Sequence, residues 1–302
     1  MPALFFRRRQ RIAIWIASEV SSILIIISPI ITGMYKPKLP YIIPLDSNVN
    51  NIIMFGLIVS ILSPSIVEYV NYRWVKSAEF HLADLFRNLA ESVRSGLTLP
   101  RAIEEASKLD YGSLTYELRR VVVLFNLGVE IDKAILKLSE RLPSPRVKMA
   151  SIILSEALKS GGRVNEVLES TSKLYSSLTE YEAERITSTK PYVLIVYTAV
   201  IIYLAVAYVL VNQFLLPLLA ASHKVAFMKG LLDINFYKSI LYYSSFIESL
   251  IGGLIAGKIG TGYTLVGLRH SLILSIVSII IFNKNSFMLI FSSILFAFDI
   301  SR

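Results

Sequence analysis

Hydrophobic positions fall into two textures along this chain. Long, nearly unbroken apolar runs occupy residues 12–34, 52–70, 191–219 and 239–257, and two shorter ones occupy 268–282 and 287–300. From about 77 to 190 the apolar residues instead recur every three or four positions among charges, as in Leu82, Leu85, Phe86 and Leu89. A run of about 20 apolar residues is long enough to cross a bilayer. A three-and-four spacing marks helices with one buried face. The pattern predicts an all-α membrane protein with about six transmembrane helices and a separate helical bundle. It divides the chain into an N-terminal membrane hairpin (1–76), the bundle (77–190) and a C-terminal membrane domain of three or four spans (191–302). Pro64 is expected to interrupt the second span. The last two runs read as a thin hairpin, with one bent helix as the alternative.

The bundle region repeats itself. Gly96, Leu99, Ala102, Ile103 and Ser107 have counterparts in Gly128, Ile131, Ala134, Ile135 and Ser139, and again in Gly161, Val164, Val167, Leu168 and Ser172. The copies start 32 and 33 residues apart, a period typical of stacked helix–turn–helix units. Each glycine sits where a helix ends and the chain must turn, a position that favours positive φ. In the third copy Gly161 or Gly162 serves. Thr98 is placed to cap the next helix and Pro100 fits its first turn. Three helix hairpins, six short antiparallel helices, are expected to share one core.

Charge then sets orientation. The chain carries 31 Lys and Arg against 22 Asp and Glu, yet between Asn71 and Lys190 the count is 18 against 16. The excess flanks the spans, as in Arg7, Arg8, Arg9 and Arg11. It therefore reads as positive-inside topology rather than nucleic-acid binding. On that rule both termini and the bundle are cytoplasmic, while Asp46 and His223 face outward. The lysines at 224, 229 and 238 run against the rule. The N-terminal apolar run is too long for a signal peptide.

The search for chemistry returns little. There is no Cys, and His81, His223 and His270 are scattered, so no metal-ligand spacing is present. Phosphate-loop, zinc-protease and serine-hydrolase motifs are missing. No catalytic residue, cofactor or metal site is expected. Glu19, Glu68 and Glu248 lie in or near spans, where an acid is costly and is usually paired or functional. Glu248 reads equally as a functional acid or as one hydrogen-bonded to Ser244 or a Tyr. Gly253 and Gly257 fit a small-xxx-small pattern for close helix packing. In the bundle, Glu104, Glu105, Arg119 and Arg120 are either a solvated face or a docking surface.

The segments around Leu85–Ser107 and Ser151–Tyr175, set between membrane spans, resemble the type II secretion system F family. This family comprises inner-membrane platform proteins of type II secretion, type IV pili, Tad-type pili and the archaellum. The stretch from Gly252 to Leu274, with Gly267-Leu268-Arg269-His270, looks most like the archaellum and Tad-type branch. The resemblance implies a non-enzymatic platform in the cell membrane. It implies a hexameric secretion ATPase as partner, with Arg119, Arg120, Glu104 and Glu105 as candidate contacts, and pilin-like subunits as the cargo. It also implies a dimer with itself or with a second platform subunit, because one bundle is present where many relatives have two. Glu156 is a plausible match to a family glutamate near the glycine pair. Beyond membrane lipid, no further ligand is implied. The competing reading is a multi-span transporter or channel with Glu248 and Glu19 in its path.

Overall fold

The computed structural model describes residues 5–37, 43–218 and 233–282, and no strand occurs among them. The helices are α1 (Arg8–Ile31), α2 (Ser47–Phe80), α3 (Leu82–Arg94), α4 (Leu99–Ala106), α5 (Ser113–Asn126) and α6 (Ile131–Leu136). They continue with α7 (Leu138–Arg141), α8 (Pro145–Lys159), α9 (Val164–Val209), α10 (Ile234–Thr261) and α11 (Leu268–Phe282). Two compact units emerge, one of Met1–Phe6 with Val70–Ser188, the other of Arg7–Tyr69 with Thr189–Arg302.

The first unit is organised by the three-and-four pattern of α3. Leu82, Leu85, Phe86 and Leu89 are fully buried, and Phe86 stacks on Tyr175 of α9 at 5.5 Å between ring centroids. The alanine and isoleucine that follow each of the first two turns, Ala102–Ile103 and Ala134–Ile135, join the same core, as does Leu168. Burial of each such aliphatic side chain contributes about 1.5–3 kcal/mol. The first two glycine turns are built alike. Gly96 and Gly128 have φ of +97° and +89°. The next amide reaches back five residues in each, Leu97 to the carbonyl of Ser92 and Val129 to that of Leu124, which is the Schellman closure. The third turn differs: Gly161 has φ +61°, Gly162 lies outside the left-handed region, and a short 3-10 turn, Gly161–Arg163, follows.

Two local expectations change. Thr98 occupies the N-cap of α4, but its hydroxyl makes no capping bond. The strong cap is at Ser144, which accepts from the amides of Arg146 and Val147 and is followed by Pro145. Nor does Pro64 interrupt a helix: α2 runs unbroken through it, as α9 does through Pro191. A proline removes one backbone bond, but breaking the helix in an apolar run would leave several more groups unpaired.

Among the described residues, five helical stretches are long and apolar enough to cross a membrane, and the protein is multi-pass. The apolar run at 287–300 lies outside the described residues, as do Pro40, His223, Lys224 and Lys229. Ser18 of α1 donates to the carbonyl of Val59 at 2.8 Å. Helices α10 and α11 make the closest contact of this unit. A Cβ at Gly253 would overlap the backbone of Ser271, and one at Gly257 would overlap Gly267. Ser271 bonds the carbonyl of Leu250 at 2.8 Å, and Ser245 bonds Ser278. The small-xxx-small pair thus lies inside this chain's own α10–α11 packing.

Candidate interaction site

The charged pairs singled out in the sequence occupy two different settings. Glu104 and Glu105 lie on the outer face of α4, where Arg101 reaches Glu104 at 2.5 Å and Lys108 reaches Glu105 at 2.8 Å. The Lys108 bond holds the exposed Glu105 carboxyl below its ordinary range. This is a dense, solvated patch of both signs at three-residue spacing, worth little to stability. Arg119 is also exposed, with Nε donating to the carbonyl of Ser107 at 3.1 Å. Arg120 is different. It lies 3.6 Å from Glu117, which is only 3% exposed and has Arg141 at 3.6 Å on its other side. Arg120 therefore compensates a buried acid, whereas Arg119 is the more exposed of the two. Glu156, on α8, is exposed and paired with Lys159.

A four-charge network went unrecognised in the sequence. Glu79, near the C-terminal end of α2, is 4% exposed. It accepts from Lys76 at 2.7 Å and from the hydroxyl of Ser144 at 2.5 Å. Glu182 on α9 accepts from the same Lys76 and from Arg146, each at 2.5 Å. Tyr175 donates to the carbonyl of Arg146. Burial works against charge on both Lys76 and Glu182. Their mutual bonds outweigh it, raising the lysine and lowering the carboxyl from their ordinary values. These charges are spread over more than 100 positions, so no sequence spacing reveals them. Beside this unit's α3, a charge-lined groove of about 470 Å³ is bounded by Arg87, Glu91, Arg94, Glu169 and Lys173.

The intramembrane acids also separate. Glu68 is clasped by Arg11 through two bonds from Nη2, at 2.7 and 2.8 Å, and by the indole of Trp15. Arg11 entered the sequence reading only as an orientation charge; here it neutralises an acid. Glu248 has a buried Oε2 without a hydrogen-bond partner among the described residues, so the bond expected from Ser244 or a tyrosine is not made to that atom. Glu19 is exposed. A cavity of about 560 Å³ opens where α2 and α10 begin, lined by Asn48, Asn51, Asn212, Asn235, Lys238 and Tyr242 among others. It abuts a π-helical turn, Leu210–Leu215, in which Asn212 donates to the carbonyl of Tyr208. No group of three or more His, Cys, Asp or Glu able to hold a metal occurs among the described residues.

The uncharacterized protein MJ1286 of Methanocaldococcus jannaschii is 26% identical over 230 residues, which cover 76% of this chain and 38% of the relative. The chain thus spans well under half the length of the curated relative it matches. No solved structure matches. The family Type II secretion system (T2SS), protein F matches residues 85–211, a range that runs from α3 into the apolar part of α9. The stretch that holds the amphipathic helices, residues 85–211, is thus similar to the type II secretion system protein F family.

Proposed function

We propose that the protein is a non-enzymatic membrane platform of a type IV filament or type II secretion-like machine. The observation that carries the reading is the family match over residues 85–211, the stretch that holds the amphipathic helices. In this reading the bundle is three helix-hairpin repeats on the cytoplasmic side of the cell membrane, together with both termini. It docks a hexameric ATPase and passes its motion to pilin-like subunits, and the platform works with a second copy or a second platform subunit. The mixed-charge face of α4, with Arg101, Glu104, Glu105 and Lys108, supports a docking role. Exposed Arg119, joined to the carbonyl that ends α4, extends that face.

Co-purification tests the reading. A hexameric ATPase is expected to accompany the wild-type protein from solubilised membranes. Reversing Glu104 and Glu105 to Lys, or Arg119 to Glu, is expected to leave the protein inserted, because exposed pairs contribute only about 0–1 kcal/mol. The same reversals place like charges across a docked contact, which costs several kcal/mol, so ATPase recovery falls. Normal recovery with all reversed variants would remove the docking assignment. Wild-type protein that brings down no ATPase would remove the platform reading.

A further inference from the structure

Helix α1 carries a carboxylate midway along an apolar helix long enough to span a membrane, with no partner among the described residues. Glu19 is the twelfth of the helix's 24 residues. It is exposed, and it has no hydrogen bond or ion pair among the described residues. The nearby guanidinium, Arg11, is committed to Glu68. The packed side of α1 flanks Glu19, about 60–100° round the helix, where Ser18 and Ser22 are buried and Ser18 bonds the carbonyl of Val59. An acid facing hydrocarbon is costly, so such residues mark a contact.

The residues around Glu19 say what kind. Ile16, Ile23 and Ile30 are exposed and lie seven apart, and Ile12 and Glu19 form a second line seven apart beside them. That is the seam of a left-handed helix pair, with β-branched residues along one line and one polar residue at its centre. We propose that this face of α1 packs against the same face of a second copy of this chain, with Glu19 meeting Glu19. Copies inserted in one membrane share their orientation, so a two-fold axis brings identical residues to the same depth. Two carboxyl groups that each keep their proton can donate O–H to one another, a neutral pair that places no charge in the bilayer. A different partner would have to bring its own cation to mid-membrane. The central acid fixes register, as interhelical polar contacts do in membranes. The proposal gives the self-association in the platform reading a surface and rests on that reading only there; its test does not involve the ATPase.

The chain has no cysteine, so single cysteines report cleanly in native membranes. Ile16→Cys and Ile23→Cys lie on the proposed seam. Ser21→Cys is exposed on another side of the same helix. Under mild oxidation the two seam variants are expected to form disulfide-linked dimers at least about fivefold more than Ser21→Cys. Adding Glu19→Leu, which makes the span more apolar and so leaves it able to insert, is expected to reduce that yield severalfold. Adding Glu19→Gln, whose amide can still bond across the seam, is expected to preserve it. Equal cross-linking at all three positions, none at the seam, or no effect of Glu19→Leu would each overturn the proposal. So would a different membrane protein that co-purifies only when Glu19 is present, with no seam cross-link.

Discussion

At the residue scale, conformational strain distinguishes glycines that look alike in the sequence. Gly128 sits at φ +89° with open space where a Cβ would go, so its constraint is the backbone and not crowding. Gly162 has the same open space without the positive φ. An L-residue in the left-handed region costs roughly 1–2 kcal/mol. Gly128→Ala is therefore expected to lower unfolding stability in detergent by about that amount. Gly162→Ala is expected to change it by less than about 0.5 kcal/mol, or to raise it slightly by restricting the unfolded chain. Equal losses at both positions would contradict the turn assignment. Charge separates neighbours in the same way. Arg119 and Arg120 are adjacent, yet one touches a carbonyl at the surface and the other shields buried Glu117.

At the element scale, the network of Lys76, Glu79, Arg146 and Glu182 joins α2, α8 and α9 within one unit. Ser144 ties the N-terminus of α8 to Glu79 with the hydroxyl that also caps the helix. Replacing Glu79 by Leu removes the acceptor for two charged or short bonds while Glu182 still compensates the cations. A loss of about 2–3 kcal/mol is expected, typical of charged hydrogen bonds. The same network gives a pH profile. The Glu182 carboxyl is lowered below its ordinary 4.5. Its contribution is complete above that value and is lost as pH falls through the lower, folded one. Lys76 is raised above its ordinary 10.5, so its contribution is complete below that value and is lost as pH rises past the folded one. The contribution of this pair to stability is expected to be flat between about pH 5 and 10 and to fall on both sides. Glu182→Gln is expected to shrink the acid-side loss, and an unchanged acid limb would contradict this assignment.

At the scale of the whole molecule, the platform reading requires that the bundle and the N-terminus share one side of the membrane. Asp46 precedes α2 and Asn126 ends α5. Cysteines introduced singly at these positions into the cysteine-free chain are expected to react oppositely with a membrane-impermeant reagent applied from outside: Asp46→Cys labels, Asn126→Cys does not. Labelling of both from outside would overturn the orientation while leaving the family similarity over residues 85–211 in place.

Much of the fold was legible because it depends on local pattern. Apolar runs set the spans, and three-and-four spacing set the core faces of α3, α4 and α6. Positive-φ glycines set the turns at Gly96 and Gly128, since only a residue without Cβ enters that region freely. What the sequence could not decide were interactions between distant positions. Glu68 looked like a costly membrane acid until Arg11, 57 residues away, was found bound to it. Arg120 looked like a surface charge until Glu117 was found buried beneath it. Gly253 and Gly257 could have served assembly or internal packing, and the approach of Ser271 and Gly267 chose the second. Pro64 and Pro191 were natural places to end a helix, and the surrounding apolar helix carried through them. Period and composition are properties of neighbours along the chain. Which charge meets which acid depends on contacts that close loops of tens of residues, and tertiary packing alone selects them.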